Sequence, residues 1–210
     1  MYTPVEWLEY FVDGGRLCSD GNHESCDCAQ HFLDMMGYAS VECELIEKET
    51  RGQNQNKNWH SMRVGLITAS NVKKVMCSTN EDKTAEVLLT GSSLNEENLP
   101  ASIKFGKTHE KTALRLFCCA HRYRHRNCKL TQTGLIVSET LPFLGASPDG
   151  IVNCTHKNCG RFLVEVKCLF SLRYDHPKHA LKQCPFTEQS EDGHYHLKRD
   201  HQYYYQVQCH

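Results

Sequence analysis

The chain has 210 residues, enough for one globular domain with a small appendage and a hydrophobic core. Hydrophobic residues make up 40% and charged residues 23%, as in folded soluble proteins, and the net charge of −1 excludes a protein that coats a polyanion over its whole surface. We therefore expect any nucleic-acid contact to be a local basic channel, with HRYRHRNCK at residues 121–129 as one wall. A solvated helix end followed by a loop explains that stretch equally well.

Targeting and redox features bear on the compartment. No apolar run approaches the roughly 18 residues that a membrane helix needs, and the start, MYTPVEWLEYFVDGG, lacks the basic flank and apolar stretch of a secretory signal. The 13 cysteines are then expected to be reduced thiols in an intracellular, reducing compartment, the nucleus if the source is eukaryotic.

Two cysteine pairs, Cys26-x-Cys28 and Cys154-x4-Cys159, could join some of the 13 histidines in a zinc site. Neither has the C-x2-C spacing that makes such an assignment strong. Scattered core or surface thiols are therefore favoured over zinc.

The first part of the chain differs from the rest in composition and hydrophobic pattern. Residues 1–47 are predicted to form a small helical appendage, because the apolar stretches VEWLEYFV and HFLDMM flank a region rich in Gly, Cys and Asp. Residues 48–58 are polar and lack periodicity, which is typical of a linker. We place the main domain at residues 59–210.

The main domain is predicted to begin with helices. WHSMRVGLITASNVKKVM indicates a short helix, a turn at Gly65 and a second helix with Thr68 as its N-cap. Residues 78–102 are polar and are expected to be loop-rich. A longer helix is predicted from about Ile103 to Ala120.

Strands are predicted next, because LIVSE, FLGAS and FLVEVKC alternate or run apolar. Residues 176–194 are rich in His, Pro, Gln and acids, which predicts a loop, and HYHLKRDHQYYYQVQCH predicts the start of a final helix. Helices, then a few strands, then a helix indicate an α/β or α+β fold.

The strand FLVEVKC carries the first candidate for chemistry. Because side chains alternate between the two faces of a strand, Glu165 and Lys167 are expected on the same face. They could form a structural ion pair, or a metal ligand beside a lysine that activates water or stabilises charge. The spacing alone is weak evidence, since Glu81-Asp82-Lys83 repeats it in a predicted polar loop.

A second carboxylate strengthens the case for a metal. Asp149, in GASPDG, lies at a predicted strand end, and an antiparallel pair of strands joined by residues 153–160 would bring it near Glu165. Together with the backbone carbonyl of Val166, these groups would make an all-oxygen site suited to Mg²⁺ or Mn²⁺.

Glu110 is the third acidic candidate. It shares one stripe of the predicted helix with Ala113, Leu114 and Phe117, so it points towards the interior. A carboxylate there is costly unless it binds a metal or pairs with a buried lysine or arginine, and the sequence leaves both open.

Five motifs in order resemble the YqaJ-type viral recombinase domain, the family that includes phage lambda exonuclease within the PD-(D/E)xK nuclease superfamily. They are WHSMRVGLITAS, FGKTHE, LGASPDGIV, VEVKC and YYYQVQ, within about Glu49 to His210. The TRGQ lead-in and the cysteine-bearing loop ending at Cys159 are more similar to the animal and transposon-associated branch. The resemblance implies a restriction-endonuclease-like core with a central mixed sheet flanked by helices. Because the family continues past the QVQ helix, we expect the domain to be incomplete at its C-terminus.

The resemblance also implies a role for each matched residue. Asp149 and Glu165 correspond to metal-binding carboxylates, and Glu110 to the helical glutamate that helps hold a second ion. Lys167 corresponds to the catalytic lysine, acting as proton acceptor for the attacking water or as a fixed cation. Gln206 corresponds to the glutamine that shapes the site.

Three further residues correspond to DNA contacts. Arg63 and Ser70 match the positions that grip the 5′-terminal phosphate, and Tyr203 is grouped with them. A serine at a helix N-terminus beside an arginine suits a phosphate physically.

The function that the resemblance implies is a Mg²⁺-dependent deoxyribonuclease, with Mn²⁺ as a substitute, acting 5′→3′ on duplex ends in recombination or repair. The implied partners are double-stranded DNA, further copies of the chain in a ring-shaped trimer and a single-strand annealing protein; no membrane is expected. One alternative is a catalytically inactive DNA- or protein-binding module derived from a viral or transposon recombinase. A third interpretation, based on the cysteines and histidines, is a small zinc-binding interaction protein.

Overall fold

The computed structural model describes residues 3, 4, 6, 30, 33, 34, 36–91, 99–125, 127–156 and 159–210, without the side chains of residues 177 and 178. Most of the predicted appendage, and with it the pair Cys26-x-Cys28, lies outside the described residues. No helix in the described part of the chain is long and apolar enough to cross a membrane.

Helices and short strands follow one another along the described chain, which confirms the predicted mixed α/β class. The helices are α1 (Ser40–Glu49), α2 (Lys57–Arg63), α3 (Val72–Met76), α4 (Glu81–Thr90), α5 (Ala101–Arg124), α6 (Pro177–Gln183) and α7 (Gln202–Cys209). The strands are β1 (Ile67–Thr68), β2 (Cys128–Thr131), β3 (Ile136–Val137), β4 (Leu144–Ala146), β5 (Gly150–Cys154), β6 (Gly160–Val164), β7 (Thr187–Gln189) and β8 (Tyr195–Leu197). Single 3-10 turns span Gln53–Gln55 and Phe170–Leu172.

The chain divides into two compact units, and each is treated by itself. The first comprises the described residues within Met1–Ser92, Thr133–Ser147 and Cys209; the second comprises those within Ser93–Gln132, Pro148–Gln208 and His210. Where the resemblance implies one central mixed sheet, the described strands form one three-stranded sheet in each unit and a separate β7–β8 hairpin in the second.

The first unit is built on the sheet β1–β4–β3, in which β1 runs parallel and β3 antiparallel to β4. Burying apolar side chains against this sheet stabilises the unit by about 1.5–3 kcal/mol for each large residue. The buried core cluster consists of Tyr38, Ile46, Met62, Leu66, Leu135 and Val137.

The polar stretch at residues 48–58, predicted to be a linker, contains regular structure and is buried at Thr50. It contains the end of α1, a 3-10 turn and the beginning of α2. Thr50 is 1% exposed, and its hydroxyl accepts a hydrogen bond from the N–H of Leu135 at 2.7 Å. A Cβ on Gly134 would lie 2.0 Å from the carbonyl oxygen of Glu47, so glycine is required for this approach. The predicted boundaries between appendage, linker and main domain stay predictions.

The second unit is built on the antiparallel sheet β2–β5–β6, against which α5 packs along β2. Its core contains Cys128, Val152 and Cys154, with Leu130 and Phe162 packed around them. Cys128 and Cys154 are small enough to be buried within this sheet core.

Two helix predictions are corrected and one is confirmed. The helix predicted at about Ile103 to Ala120 is present as α5. Thr68 does not cap a helix, because pairing with Gly145 of β4 holds it in β1, and α3 begins after Asn71. The region 78–102, predicted to be loop-rich, contains α4, whose first turn is capped by the side chain of Asn80.

The predicted strands are found at the expected positions but are shorter than predicted. LIVSE and FLGAS contain β3 and β4, while FLVEVKC is a strand only as far as Val164. Val164 pairs with Gly150, the first residue of β5, so the partner strand begins there and the ladder stops. Glu165 and Lys167 therefore follow the strand instead of lying within it. Residues 176–194, predicted as loop, contain α6 and β7.

Candidate active site

The β5–β6 hairpin brings two acidic side chains to one end of the second unit. Asp149 directly precedes β5 and Glu165 directly follows β6, and the register pairs the residues next to them, Gly150 and Val164. Asp149 Oδ2 accepts a hydrogen bond from the backbone N–H of Val166 at 2.5 Å. The expected approach of Asp149 to Glu165 is thus present, although it uses the ends of the strands.

Glu165 is the most heavily engaged residue of the site. Its Oε1 accepts hydrogen bonds from Lys167 Nζ and from Gln206 Nε2, each at 2.6 Å. Its Oε2 is buried, and among the described residues no hydrogen-bond donor reaches it. His210 Nδ1 lies 3.8 Å from Oε2, within the range of an ion pair but beyond hydrogen-bond distance. A buried carboxylate oxygen without a hydrogen-bond donor is energetically costly, and a bound cation would remove that cost.

Asp149 and Glu110 complete a cluster of acids. Burial raises the pKa of Asp149 to about 7, with further contributions from the nearby Glu165 and Glu110, against the lowering effect of the Val166 N–H. Glu110, on α5, is close enough for its charge to contribute to this pKa shift. We call Glu110, Asp149 and Glu165 the carboxylate site.

The carboxylate site fits a divalent cation. Its three acids repel one another in a partly buried setting, and Glu165 Oε2 has no donor among the described residues. All-oxygen donor sets of this kind suit hard cations such as Mg²⁺ or Mn²⁺. The carbonyl of Val166, predicted as a further ligand, belongs to the same segment; the structure shows its N–H bound to Asp149.

Helix α7 closes the site with two predicted residues. Gln206 is 9% exposed and donates to Glu165, as described above. The ring of Tyr203 lies 4.7 Å from Lys167 Nζ, a cation–π contact. Tyr203 is thus placed beside the lysine of the carboxylate site, whereas the resemblance grouped it with the phosphate contacts. His210 adds a neighbour of Glu165 that no sequence motif indicated.

The first unit holds the other two predicted residues. Arg63 Nη2 lies 3.2 Å from Ser70 Oγ and 3.4 Å from Thr68 Oγ1. The guanidinium stacks on Trp59, with its central carbon 3.9 Å from the ring centroid. The Trp59 indole N–H donates to Ser147 Oγ at 2.9 Å, which fixes the ring beneath the arginine.

Arg63 and Ser70 line a pocket that fits an anion. The pocket has a volume of about 300 Å³, and its polar lining includes His60, Arg63, Ser70, Asn71 and Lys74. Burial lowers the pKa of Arg63 to about 10, and within the described chain its buried Nε has no hydrogen-bond acceptor. A buried guanidinium with an open donor, beside hydroxyls and a lysine, is suited to a phosphate. We call this the anion pocket.

Comparison with known proteins agrees with this chemistry. Residues 25–176 match the family model of the viral alkaline exonucleases. This match includes Arg63, Glu110, Asp149 and Lys167, and it ends before Tyr203 and Gln206.

Individual relatives are similar at low sequence identity. The alkaline nuclease of human herpesvirus 6B (strain Z29) is 23% identical over 188 residues, which cover 81% of this chain and 35% of the relative. The alkaline nuclease of human cytomegalovirus (strain Merlin) is 26% identical over 182 residues, which cover 81% of this chain and 31% of the relative. The chain thus spans about a third of the length of these curated relatives.

A solved structure shows the same fold. The alkaline exonuclease LHK-Exo from Laribacter hongkongensis superposes with a TM-score of 0.50 and 24% identity, covering 73% of this chain and 66% of that chain. This likeness confirms the predicted restriction-endonuclease-like α/β class.

Proposed function

The chain belongs to the viral alkaline exonuclease family, and from this premise we propose that it is a deoxyribonuclease that hydrolyses phosphodiester bonds from the 5′ ends of duplex DNA. The observation that carries the proposal is Glu165: its Oε1 accepts hydrogen bonds from Lys167 and Gln206, whereas no hydrogen-bond donor among the described residues reaches its Oε2. A carboxylate with one oxygen held by hydrogen bonds and the other without a donor is suited to bind a metal ion through the second oxygen.

The proposed cofactor is Mg²⁺, with Mn²⁺ as a substitute. Asp149, Glu165 and the carbonyl of Val166 would hold it, and Glu110 would help to hold a second ion. The chemistry that such a cation supplies when bound is Lewis-acid activation of water and neutralisation of charge on the phosphate.

The chain's own residues position the reacting groups. Gln206 holds Glu165 in place by donating a hydrogen bond to Oε1, so that Oε2 is the oxygen proposed to bind the cation. The ammonium of Lys167 is held between Glu165 Oε1 and the Tyr203 ring. We propose that Lys167 acts as a fixed cation that orients the water and stabilises the transition-state charge, since these contacts hold an ammonium group. Proton acceptance by Lys167 is the alternative role.

The anion pocket is proposed to bind the 5′-terminal phosphate. Arg63 offers the planar donor set that matches phosphate oxygens, and Ser70 offers a hydroxyl 3.2 Å away. Double-stranded DNA is the proposed substrate. A ring-shaped trimer and a single-strand annealing partner are further proposals that rest on the resemblance alone.

The test uses purified chain, Mg²⁺ or Mn²⁺, linear duplexes labelled at the 5′ or the 3′ end, and a closed circular duplex. We expect mononucleotide release from 5′-phosphorylated ends and a loss of roughly 10²–10³-fold in Lys167→Ala. Lys83→Ala is the matched control, because Lys83 has the same Glu-x-Lys spacing but is exposed on α4. Arg63→Lys, which keeps the charge but not the planar donors, should reduce the preference for 5′-phosphate over 5′-hydroxyl ends about tenfold.

The other outcomes are distinct. Equal cutting of the closed circle would replace the exonuclease by an endonuclease. No cutting by the wild-type chain with either metal would support the catalytically inactive binding module instead.

A further inference from the structure

A second group of metal-binding side chains lies in the second unit, outside the carboxylate site. It consists of His121 near the end of α5, His125 immediately after α5, Cys154 at the end of β5 and Cys159 just before β6. One ligand atom from each residue lies within 4.8 Å of the corresponding atoms of the other three. We call these four residues the cysteine–histidine cluster.

Two sulfur–nitrogen distances in the cluster match the dimensions of a tetrahedral zinc site. Cys159 Sγ lies 3.6 Å from His121 Nε2, and Cys154 Sγ lies 3.8 Å from His125 Nδ1. With Zn–S bonds of about 2.3 Å and Zn–N bonds of about 2.0 Å, a sulfur and a nitrogen on one tetrahedron are about 3.6 Å apart. Because all four ligand atoms lie within 4.8 Å of one another, binding one ion of this size would need shifts of no more than about 1.5 Å.

Local structure brings each ligand pair together. His121 and His125 are four residues apart at the end of a helix, so they share one face, and their rings stack with centroids 4.3 Å apart. The register of β5 and β6 pairs Cys154 with Gly160, which places Cys154 and Cys159 at the same closed end of the hairpin. Both spacings, H-x3-H and C-x4-C, fall within the range seen in structural zinc sites.

The surroundings of the cluster support its geometry. The ring of His121 is packed against Phe162 at 5.4 Å and Phe117 at 5.7 Å, which orients it towards the cysteines. Cys154 is buried, and the other three ligands are partly buried. Cys128 pairs with Cys154 across β2 and β5 and adds a third thiol nearby.

We propose that His121, His125, Cys154 and Cys159 bind one structural Zn²⁺ ion. Two thiolates and two imidazoles form a closed set of soft and borderline donors, which leaves no open position for substrate and selects zinc over the hard cations that suit the carboxylate site. The sequence favoured scattered thiols, so this proposal reverses that expectation for Cys154 and Cys159.

The ion would join two elements that carry the carboxylate site. Helix α5 bears Glu110, and the β5–β6 hairpin is flanked by Asp149 and Glu165. Zinc at the closed end of the hairpin would fix this end to α5, about three helical turns or roughly 16 Å along the helix from Glu110. We therefore assign the ion a structural role, in holding the helix and the hairpin in register.

The test measures metal content, which does not depend on nuclease activity. Wild-type chain is expressed with added zinc, purified under reducing conditions and desalted, and its zinc is quantified by atomic spectrometry. We expect about one zinc per chain in the wild type and in Cys119→Ser, an exposed cysteine of the same helix. Cys159→Ser and His121→Asn should each lose the ion. Asp149→Asn should keep it, which separates this site from the carboxylate site.

Replacement by Co²⁺ gives a second readout on the wild-type chain itself. A tetrahedral two-thiolate site should show intense visible bands and a thiolate-to-cobalt charge-transfer band, both displaced by Zn²⁺. Far-UV circular dichroism of the variants shows whether each one is folded when its zinc is measured.

Several results would overturn the proposal. They are a wild-type chain without zinc after incubation with the metal, zinc retained by folded Cys159→Ser and His121→Asn, and cobalt spectra without thiolate bands. A disulfide between Cys154 and Cys159 in reduced-purified chain would equally exclude it.

Discussion

The carboxylate site and the cysteine–histidine cluster are carried by the same helix, α5, and the same hairpin, β5–β6, but they offer different ligand atoms. The first collects Asp149 and Glu165 where β5 begins and β6 ends, and the second collects Cys154 and Cys159 at the closed end of that hairpin. One offers hard oxygen atoms, including a carboxylate oxygen that no hydrogen-bond donor in the described part of the chain reaches. The other offers sulfur and nitrogen in a closed set of four.

The two ends of one helix–hairpin unit are thus suited to two different tasks. A site with an unfilled position suits chemistry on a substrate, whereas a site whose ligands are all supplied by protein suits stability. Both sites depend on the packing of α5 against the hairpin. If they are independent, a substitution that removes the ion from one site leaves the ion in the other.

The largest effect is expected at the open end. Glu165→Gln keeps the shape of the side chain but removes its charge, and with it the ion pair to Lys167. We expect DNA hydrolysis to fall roughly 10³-fold, since a ligand and an electrostatic contact are lost together. Release of labelled nucleotide from 5′-labelled duplex measures the rate.

Zinc content is measured on the same preparation and should be unchanged from the wild type. A Glu165→Gln chain that is folded but has lost its zinc would contradict the division of roles drawn above.

A smaller effect is expected at the closed end, and on stability first. Cys159→Ser should unfold at a temperature roughly 6–12 °C lower than the wild type, because an ion present at about a hundredfold excess over its Kd contributes about 3 kcal/mol. Cys119→Ser should shift the free energy of unfolding by no more than about 0.5 kcal/mol. Thermal unfolding followed by circular dichroism, with and without a chelator, gives both values.

Adding the chelator distinguishes the loss of a bound ion from the loss of packing around the thiol. If it destabilises Cys159→Ser as much as the wild type, the lost stability comes from packing of the thiol and not from a bound ion.

The carboxylate site could be predicted because its signals are local. Glu110 lies on an apolar stripe of a long helix, where Leu114 is buried as the periodicity indicates. Asp149 and Glu165 flank two strands joined by a short connection, so antiparallel pairing alone brings them together. What periodicity could not give is the end of the ladder at Val164, which depends on where the partner strand begins.

Only the cysteine half of the cysteine–histidine cluster is indicated by the sequence, because its two halves are remote along the chain. The spacing of Cys154 and Cys159 is weak evidence for zinc with unspecified histidines, whereas residues 121–129 form a basic stretch that indicates a DNA-facing wall or a solvated helix end. Only the packing of α5 on the sheet brings the two pairs together, and sequence spacing does not reveal tertiary packing. In α4 the missed signal was local: Asn80 caps the helix, but the polar composition around it indicated a loop.

The smallest effect concerns Tyr203, and it decides to which group that residue belongs. The Tyr203 ring lies 4.7 Å from Lys167 Nζ and is packed on Phe186 at 4.8 Å. A cation–π contact of about 0.5–1 kcal/mol predicts that Tyr203→Ala slows hydrolysis roughly two- to fivefold, while Tyr203→Phe, which keeps the ring, stays near the wild-type rate. Single-turnover rates at saturating DNA isolate this step from binding. Equal slowing in both variants would instead show that the hydroxyl matters, as expected for the DNA contact that the family resemblance implies.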